Sequence, residues 1–500
     1  MSPGRLLLVG LALLAAEGRA RAAGTESGWR EVRTPHVVLL TDLGPADARR
    51  AALAVERTRA AMLATAWQGA RLTQPDHIEV VVFASGLDFE RHFGRSIAGV
   101  TTTGRYPPRV TLYGTPERWE RRASLSLEES TSVLKHELAH HLAAYFYRRQ
   151  PRWFAEGLAQ FLETIRVSDD GKSVVMGAIN IEALQKYNRF RTFTVADVLA
   201  WGGKFDEKGE ATIAGLYGLS WLLVHWLYNV HPRELASFQT LLAKGIAPDK
   251  AWKVAFASLA QESIDRELNE YARHGNYNEF TGSISVSDAE AVERSLTSAD
   301  AHAIKASVAL TAALTMVDSA PHRAEAEQEL TAALADDPSN ARALHLLADR
   351  VPPAEREGVA RRAVAAHPED GLAWLSLGEA LWSKPGATAD RDAAFRKATE
   401  LLPDHPVAFN SLAWTFLQEG KPREALPLAV TAVQLAPWVP AYQETLAASL
   451  AAVGRCTEAV AAQSRAIEAL AEQRNPHAKA ELQKRLETYE ASCQPGKASP

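Results

Sequence analysis

Prolines recur along the C-terminal part of this chain at Pro338, Pro368, Pro403 and Pro437, and the last two intervals are 35 and 34 residues. A period of that length is one helix–turn–helix unit, too small to bury its own apolar face, so neighbouring units must stack into a curved array with a concave side. Trp374, Leu377, Gly378, Phe395 and Ala398 in one unit, and Phe409, Leu412, Phe416, Ala425 and Ala432 in the next, fall at the signature positions of such a unit, which makes Trp374 and Phe395 core positions of a repeat rather than a ligand box. The interval from Pro338 to Pro368 is only 30, so that repeat is shortened, and the one after Pro437 has no closing proline.

Five hundred residues, 47% of them hydrophobic, allow two or three domains with sizeable cores. A net charge of −5 without a basic run argues against nucleic acid or an anionic membrane surface as partner. Residues 1–22 read as a cleaved signal peptide: Arg5, the apolar run Leu6 to Ala16, then Ala20-Arg21-Ala22. No cysteine follows that run, so the chain is expected to be exported, periplasmic or secreted, without a lipid anchor. No later stretch is long and apolar enough to span a bilayer. Cys456 and Cys493 are the only cysteines, and sequence leaves open whether they pair.

His36 to Thr41, Ile78 to Phe83 and Arg109 to Tyr113 read as strands, the last a sheet edge because Pro107-Pro108 and Pro116 flank it. Ala46 to Trp67 reads as a long helix. Ser126 with Glu129 forms a capping-box pattern before a helix running to about Tyr147, and Pro151 opens another that ends near Thr164. Asp169-Asp170-Gly171 marks a hairpin, and helices are expected near 180–187, 194–201, 211–230, 232–244, 248–257 and 262–274. The polar, aperiodic stretch after 275 suggests a boundary. The expected division is 1–22 signal, 23–280 first domain, 281–298 linker and 299–495 repeats.

The helix ending at Tyr147 contains V-L-K-H-E-L-A-H-H-L. His136 and His140, one turn apart on the same face, can offer both imidazoles to one zinc ion. Glu137 sits beside them to reach a water on that ion, as general base. A catalytic zinc takes a third protein ligand and keeps one position open. Glu156, in P-R-W-F-A-E-G-L-A-Q-F-L-E, is the candidate for that third ligand, with one zinc per chain. A closed structural site is the plainer reading, but such sites usually use cysteine, and none lies nearby. His141 points about 100° from His140 and is read as packing.

H-E-L-A-H-H-L followed by W-F-A-E-G-L-A-Q-F resembles the gluzincins, the thermolysin and M1 aminopeptidase clan, and most closely the bacterial peptidase MA-like proteins that carry C-terminal helical repeats. The repeats in turn resemble tetratricopeptide repeats. The resemblance implies an α+β zincin-like metallopeptidase domain, mixed sheet plus helices, followed by an all-α repeat solenoid. It implies an edge strand that holds a peptide extended beside the zinc helix. It also implies an oxyanion donor on a helix beyond the glutamate ligand, where Tyr217 stands in G-L-Y-G-L-S-W, with Tyr228 and His225 as alternatives.

Two departures stand out. Four residues after Glu156, where thermolysin-like enzymes carry an acidic residue that orients a zinc histidine, this chain has Gln160; Glu163 is the substitute candidate. The G-x-M-E-N signature that reads a free amine is replaced by G-V-T-T-T-G-R-Y-P-P, so aminopeptidase action is not implied. The leading expectation is therefore an exported zinc peptidase acting on a peptide or protein, its repeats binding a protein partner. The alternatives are a repeat-based interaction or scaffold protein with a structural or silent zinc site, and zinc hydrolysis of a non-peptide bond.

Overall fold

The computed structural model describes residues 26–67, 78–94, 99–102, 109–119, 132–147, 150–168, 171–201, 210–284, 290–316, 318–382, 384–470 and 476–492. The signal segment, the Ser126–Glu129 capping pattern, the Asp169-Asp170 turn and Cys493 lie outside them.

The first part runs β1 (Glu26–Arg33), β2 (Val37–Thr41), α1 (Pro45–Ala66), β3 (Ile78–Phe83), α2 (Gly86–Phe93), β4 (Val100–Thr102), β5 (Arg109–Tyr113), α3 (Pro116–Trp119), α4 (Val133–Phe146) and α5 (Arg152–Leu162). It continues with β6 (Arg166–Val167), β7 (Ser173–Met176), α6 (Ile181–Arg189), α7 (Val195–Leu199), α8 (Glu210–Val230), α9 (Pro232–Ala243), α10 (Pro248–Ala255), α11 (Gln261–His274), β8 (Phe280–Ser283) and β9 (Val292–Thr297). Six strands form one sheet in the order β4-β5-β3-β2-β1-β9, parallel at β2/β3 and β3/β5 and antiparallel elsewhere.

Apolar runs such as Ile78–Phe83 fit a sheet covered on both faces. Val37, Leu39, Ile78, Val80 and Val82 face α1, α4 and α5 in the larger core. Leu40, Val81 and Phe83, one position out of phase, face Phe89 and Phe93 of α2. The other helices expected in this part begin and end within about two residues of expectation, but α4 opens at Val133 with Ser132 as its N-cap rather than at Ser126, and α2 and α3 were not expected.

Two further expectations fail here. Arg109–Tyr113 is not the sheet edge: β4 lies outside it, with Thr101 opposite Val110. Three residues in a polar G-V-T-T-T-G context have no periodicity to read, and the prolines after them mark the β4–β5 connection instead. The segment 281–298 is not a linker either. It completes β8, which pairs with β7, and contains β9, which pairs with β1 through partners such as Arg30 and Ser295. Cross-strand ion pairs Arg30–Glu293 (2.7 Å) and Arg294–Glu31 (2.8 Å) reinforce the β1/β9 seam.

The helical array follows directly. It comprises α12 (Ser298–Thr315), α13 (Ala320–Asp336), α14 (Ala341–Ala348), α15 (Pro353–Ala366), α16 (Gly371–Ala380), α17 (Thr388–Leu401), α18 (Pro406–Gln418), α19 (Pro422–Leu435), α20 (Pro440–Ala452), α21 (Cys456–Ala469) and α22 (Pro476–Ser492). Thr297 and Asp300 cap α12 reciprocally, and Ala301, Ile304, Val308 and Ala312 press on Leu40, Val81 and Phe83. The first helix of the array is thus also the cover of the sheet's second face.

Further along, the chain forms tetratricopeptide-type helix pairs. Gly386, Gly420 and Gly454, spaced by the repeat period, turn at φ +78°, +71° and +82°, a conformation glycine reaches without a Cβ clash. Phe395 is fully buried over Gly378, where a Cβ would come within 2.5 Å of its ring. The shortened repeat shows as α14, only eight residues long. Among the described residues no helix is long and apolar enough to cross a membrane.

Candidate metal centre

Leu134, Leu138, Ala139, Leu142 and Ala143 bury one side of α4, which leaves His136, Glu137 and His140 half-buried on the side that faces α5 and a cleft. On α5, Trp153, Phe154, Leu158 and Phe161 are buried and Glu156 is 9% exposed. His136 Nε2 lies 3.1 Å from His140 Nε2, and Glu156 Oε2 lies 3.5 and 3.4 Å from the two nitrogens. Three corners of a tetrahedron with bonds of about 2.0–2.1 Å are about 3.3–3.4 Å apart. Glu156 Oε2 has no hydrogen-bond partner although it is buried. Two imidazole nitrogens and an orphaned carboxylate oxygen at that spacing fit one zinc ion.

The outer bonds prepare the donors. His136 Nδ1 donates to Glu163 Oε1 at 2.7 Å, which leaves the Nε2 lone pair facing the centre. Glu163 Oε2 accepts from Asn180 Nδ2 at 2.8 Å, and Asn180 is itself the N-cap of α6. Gln160 does something else. Its Nε2 donates to the Tyr217 carbonyl at 3.0 Å, tying α5 to α8. Burial disfavours a charged His136, yet the Glu156 and Glu163 carboxylates beside it hold its pKa well above the ordinary value. Burial likewise opposes ionisation of Glu156, and the two histidines override it and keep it an anion.

Two glycines set the geometry. A Cβ on Gly157 would sit 2.4 Å from the Ser220 carbonyl oxygen, so only glycine lets α8 cross α5 this closely. That crossing brings Tyr217 to Glu156. Burial raises the phenol's pKa most, followed by the Glu156 charge and a hydrogen bond to that carboxylate. A Cβ on Gly99 would meet Val133 at 2.4 Å, so the start of β4 lies directly on α4. Thr101 of β4 donates to the Glu137 carbonyl at 3.1 Å.

The alternatives to Tyr217 are occupied elsewhere. His225 binds Tyr271 and the Gly177 carbonyl, and burial pushes its pKa down to about 4. Tyr228 stacks on Phe161 with ring centres 4.4 Å apart and accepts from Gln239. His141 is fully buried edge-on to Tyr145, 5.3 Å away, as a packing residue.

A cleft of about 380 Å³ opens on the cluster, bounded by Thr101, Glu137, His140, Tyr147, Gln150, Glu156 and Trp438. Trp438 comes from the turn between α19 and α20 and meets Tyr145 of α4 at 5.1 Å. Its Nε1 is buried with no hydrogen-bond partner. Sequence reasoning missed Asn180 and Trp438. Asn180 had a readable signal, an Asn just ahead of an apolar-periodic helix, whereas Trp438 had none.

Residues 130–247 match a family described as "Protein of unknown function (DUF1570)". That stretch holds His136, Glu137, His140, Glu156, Glu163, Asn180 and Tyr217. No curated protein matches the chain. Among solved structures, the chain is similar to a thermophilic TPR protein of Thermus thermophilus, TTC0263, at 17% identity over 37% of this chain and 99% of that one, TM-score 0.29. It is similar to pilF of Pseudomonas aeruginosa at 20% over 39% and 85%, TM-score 0.31, and to yeast Tom70 at 13% over 75% and 68%, TM-score 0.32. Scores this low carry no argument about chemistry.

Proposed function

We propose that the first part of the chain is a zinc-dependent peptidase acting outside the cytoplasm, and that the repeat array holds a protein partner or presents the substrate. The observation that carries this reading is the spacing of the His136, His140 and Glu156 donor atoms, 3.1 to 3.5 Å. Bound there, zinc supplies a Lewis acid and brings the pKa of a water in its open position toward about 7. The remaining work falls to the chain. Glu137, on the cleft wall, takes the water's proton and returns it to the leaving amine. Tyr217 turns its hydroxyl from Glu156 to the substrate carbonyl oxygen as negative charge develops there. β4, the last strand in the sheet order and packed beside the cluster through Thr101 and Gly99, takes an extended peptide by strand addition.

The test is Glu137→Gln in the full chain, assayed for zinc content and peptide turnover. Zinc should stay at one equivalent in this centre while turnover falls by roughly 10²–10⁴-fold, and His140→Ala should lose both. A fully active Glu137→Gln variant sinks the mechanism.

A second reading, a repeat-based interaction or scaffold protein with a structural or silent zinc site, is the one the comparisons favour, because the similar solved structures include repeat proteins. Trp438 reaching the cleft also suits it. Zinc retained by wild type without turnover of any peptide would select it. Against it stands Glu137, which a merely structural site has no need to place beside the ligands.

A further inference from the structure

On the opposite face of the sheet, the described residues hold a second cluster with metal-ligand chemistry: His92, His322 and Glu325, whose donor atoms all lie within 4.8 Å of one another. His92 ends α2 and is 4% exposed, its ring held against Phe83 and Phe93 with centres 5.6 and 6.1 Å apart. Its Nδ1 is buried without a hydrogen-bond partner and stands 3.3 Å from Glu325 Oε2. His322 and Glu325 come from the first turns of α13, three residues apart and therefore on one side of that helix.

A buried imidazole nitrogen without a hydrogen bond costs free energy that a native structure normally recovers through a bond of some kind. The cluster lies where α2, from the sheet domain, faces α13, from the helical array. Phe89 and Phe93 of α2 belong to the core that α12 covers, whereas α4 and its histidines belong to the core on the other side. The sheet therefore separates the two clusters, and nothing in the first centre explains the second.

We propose that His92, His322 and Glu325 bind a second divalent transition ion, zinc in class, which clasps α2 to α13 and so fastens the array to the sheet domain. Two imidazoles and one carboxylate suit zinc and its neighbours, whereas calcium and magnesium take oxygen ligands. The donor atoms lie within 4.8 Å of one another, so reaching the roughly 3.3 Å of a zinc site asks for at most about 1.5 Å at any pair. His322 and Glu325, both half-buried, can supply that by side-chain rotation while His92 stays fixed.

This clasp goes beyond the peptidase reading and does not depend on it. The full chain, stripped with a chelator, is titrated with Zn²⁺ alone, and bound zinc is counted after desalting. Wild type should take up two equivalents. The His136→Ala/His140→Ala variant should keep one, and adding His322→Ala with Glu325→Gln should bring it to none, with circular dichroism confirming that each variant is folded. In the wild-type background, His322→Ala with Glu325→Gln should bind one equivalent and leave peptide turnover within about twofold, since neither residue touches the cleft. A folded His136→Ala/His140→Ala variant that binds no zinc overturns the clasp, as does a zinc count unmoved by the His322 and Glu325 changes. One equivalent in wild type that is lost only with His322 and Glu325 would instead overturn the first centre and leave the clasp standing.

Discussion

Replacing Glu163 tests whether the cluster on α4 and α5 is built to hold a metal. Glu163 is 8% exposed, and its two oxygens are committed to His136 Nδ1 at 2.7 Å and Asn180 Nδ2 at 2.8 Å. In Glu163→Gln the side-chain oxygen can still accept from one of them, but the new amide then turns its own N–H toward the other donor. The imidazole loses both orientation and a charge that raises its basicity, so zinc affinity should fall about tenfold. In Glu163→Ala the buried Nδ1 has no acceptor, and the loss should approach roughly 100-fold, or about 2.7 kcal/mol. The assay is competition for Zn²⁺ against a chromophoric chelator in the full chain, with thermal melting of the stripped protein as control. A residue that merely packs would lower the melting temperature of the stripped protein and leave its zinc affinity intact. Unchanged affinity in Glu163→Ala would refute the assignment and return the orienting role to an unidentified group.

Tyr217→Phe should lower kcat on the order of 10²-fold with KM and zinc content nearly unchanged, because the lost bond is made mainly in the transition state; a change confined to stability would make Tyr217 a core residue. A chain cut after residue 280 loses β9 and α12 and uncovers Leu40, Val81, Phe83 and Leu296's partners, on the order of 5–10 kcal/mol of burial, comparable to a whole domain's stability. It should not give a cooperative thermal transition, whereas a chain ending after α13 should; a well-folded 280-residue product would refute this account of the junction. Glu79 on β3 binds Arg109 at 2.5 Å and Arg342 of α14 at 3.2 Å. Burial by itself raises its pKa, and the two guanidinium groups override it and hold it at about 2. Because the folded value lies below the ordinary one, the stabilisation of about 3 kcal/mol is present above pH 4.5 and is lost as pH falls toward 2. Glu79→Gln should therefore destabilise the chain in urea at pH 7 and scarcely at pH 2.

The residues legible in the sequence are those whose spacing the chemistry itself fixes. Four positions between His136 and His140 is one helical turn, and the repeat period follows from the size of a helix pair. Glu163 was half legible. It stands seven residues, two turns, beyond Glu156 and so on the same face, but so does Gln160 at four, and choosing between them requires knowing how α4 crosses α5. β9 was illegible for a different reason. V-E-R-S-L-T buries only Leu296 deeply, and its partner strand lies some 263 residues back, as the Arg30–Glu293 bond shows. Polar edge strands and polar linkers look alike until the pairing is known. The misplacement of the sheet edge has the same root, since the prolines beside β5 report only that no further strand follows in sequence, not that none lies beside it.

The junction between the two parts has a consequence for the cleft. α12 is rooted in the sheet through Ile304, Val308 and the β9 strand that leads into it. Arg342 ties α14 to β3 through Glu79. From that root the array stacks helix on helix, each unit held mainly by its neighbours, until the turn before α20 delivers Trp438 against Tyr145 and the cleft wall. Beyond it, α21 lies alongside the turn after α9, with Arg465 and Glu468 about 4 Å from the position a Cβ on Gly245 would take. The distance between Trp438 and His140 is therefore set jointly by the accumulated curvature of the repeats between α14 and α19 and by the contacts of Trp438 with Tyr145 and of α21 with the turn after α9. A small change in repeat-to-repeat angle, summed over several units, moves Trp438 farther than the same change at a single hinge. The wall of the cleft that Trp438 forms is thus the part whose position the array helps to set.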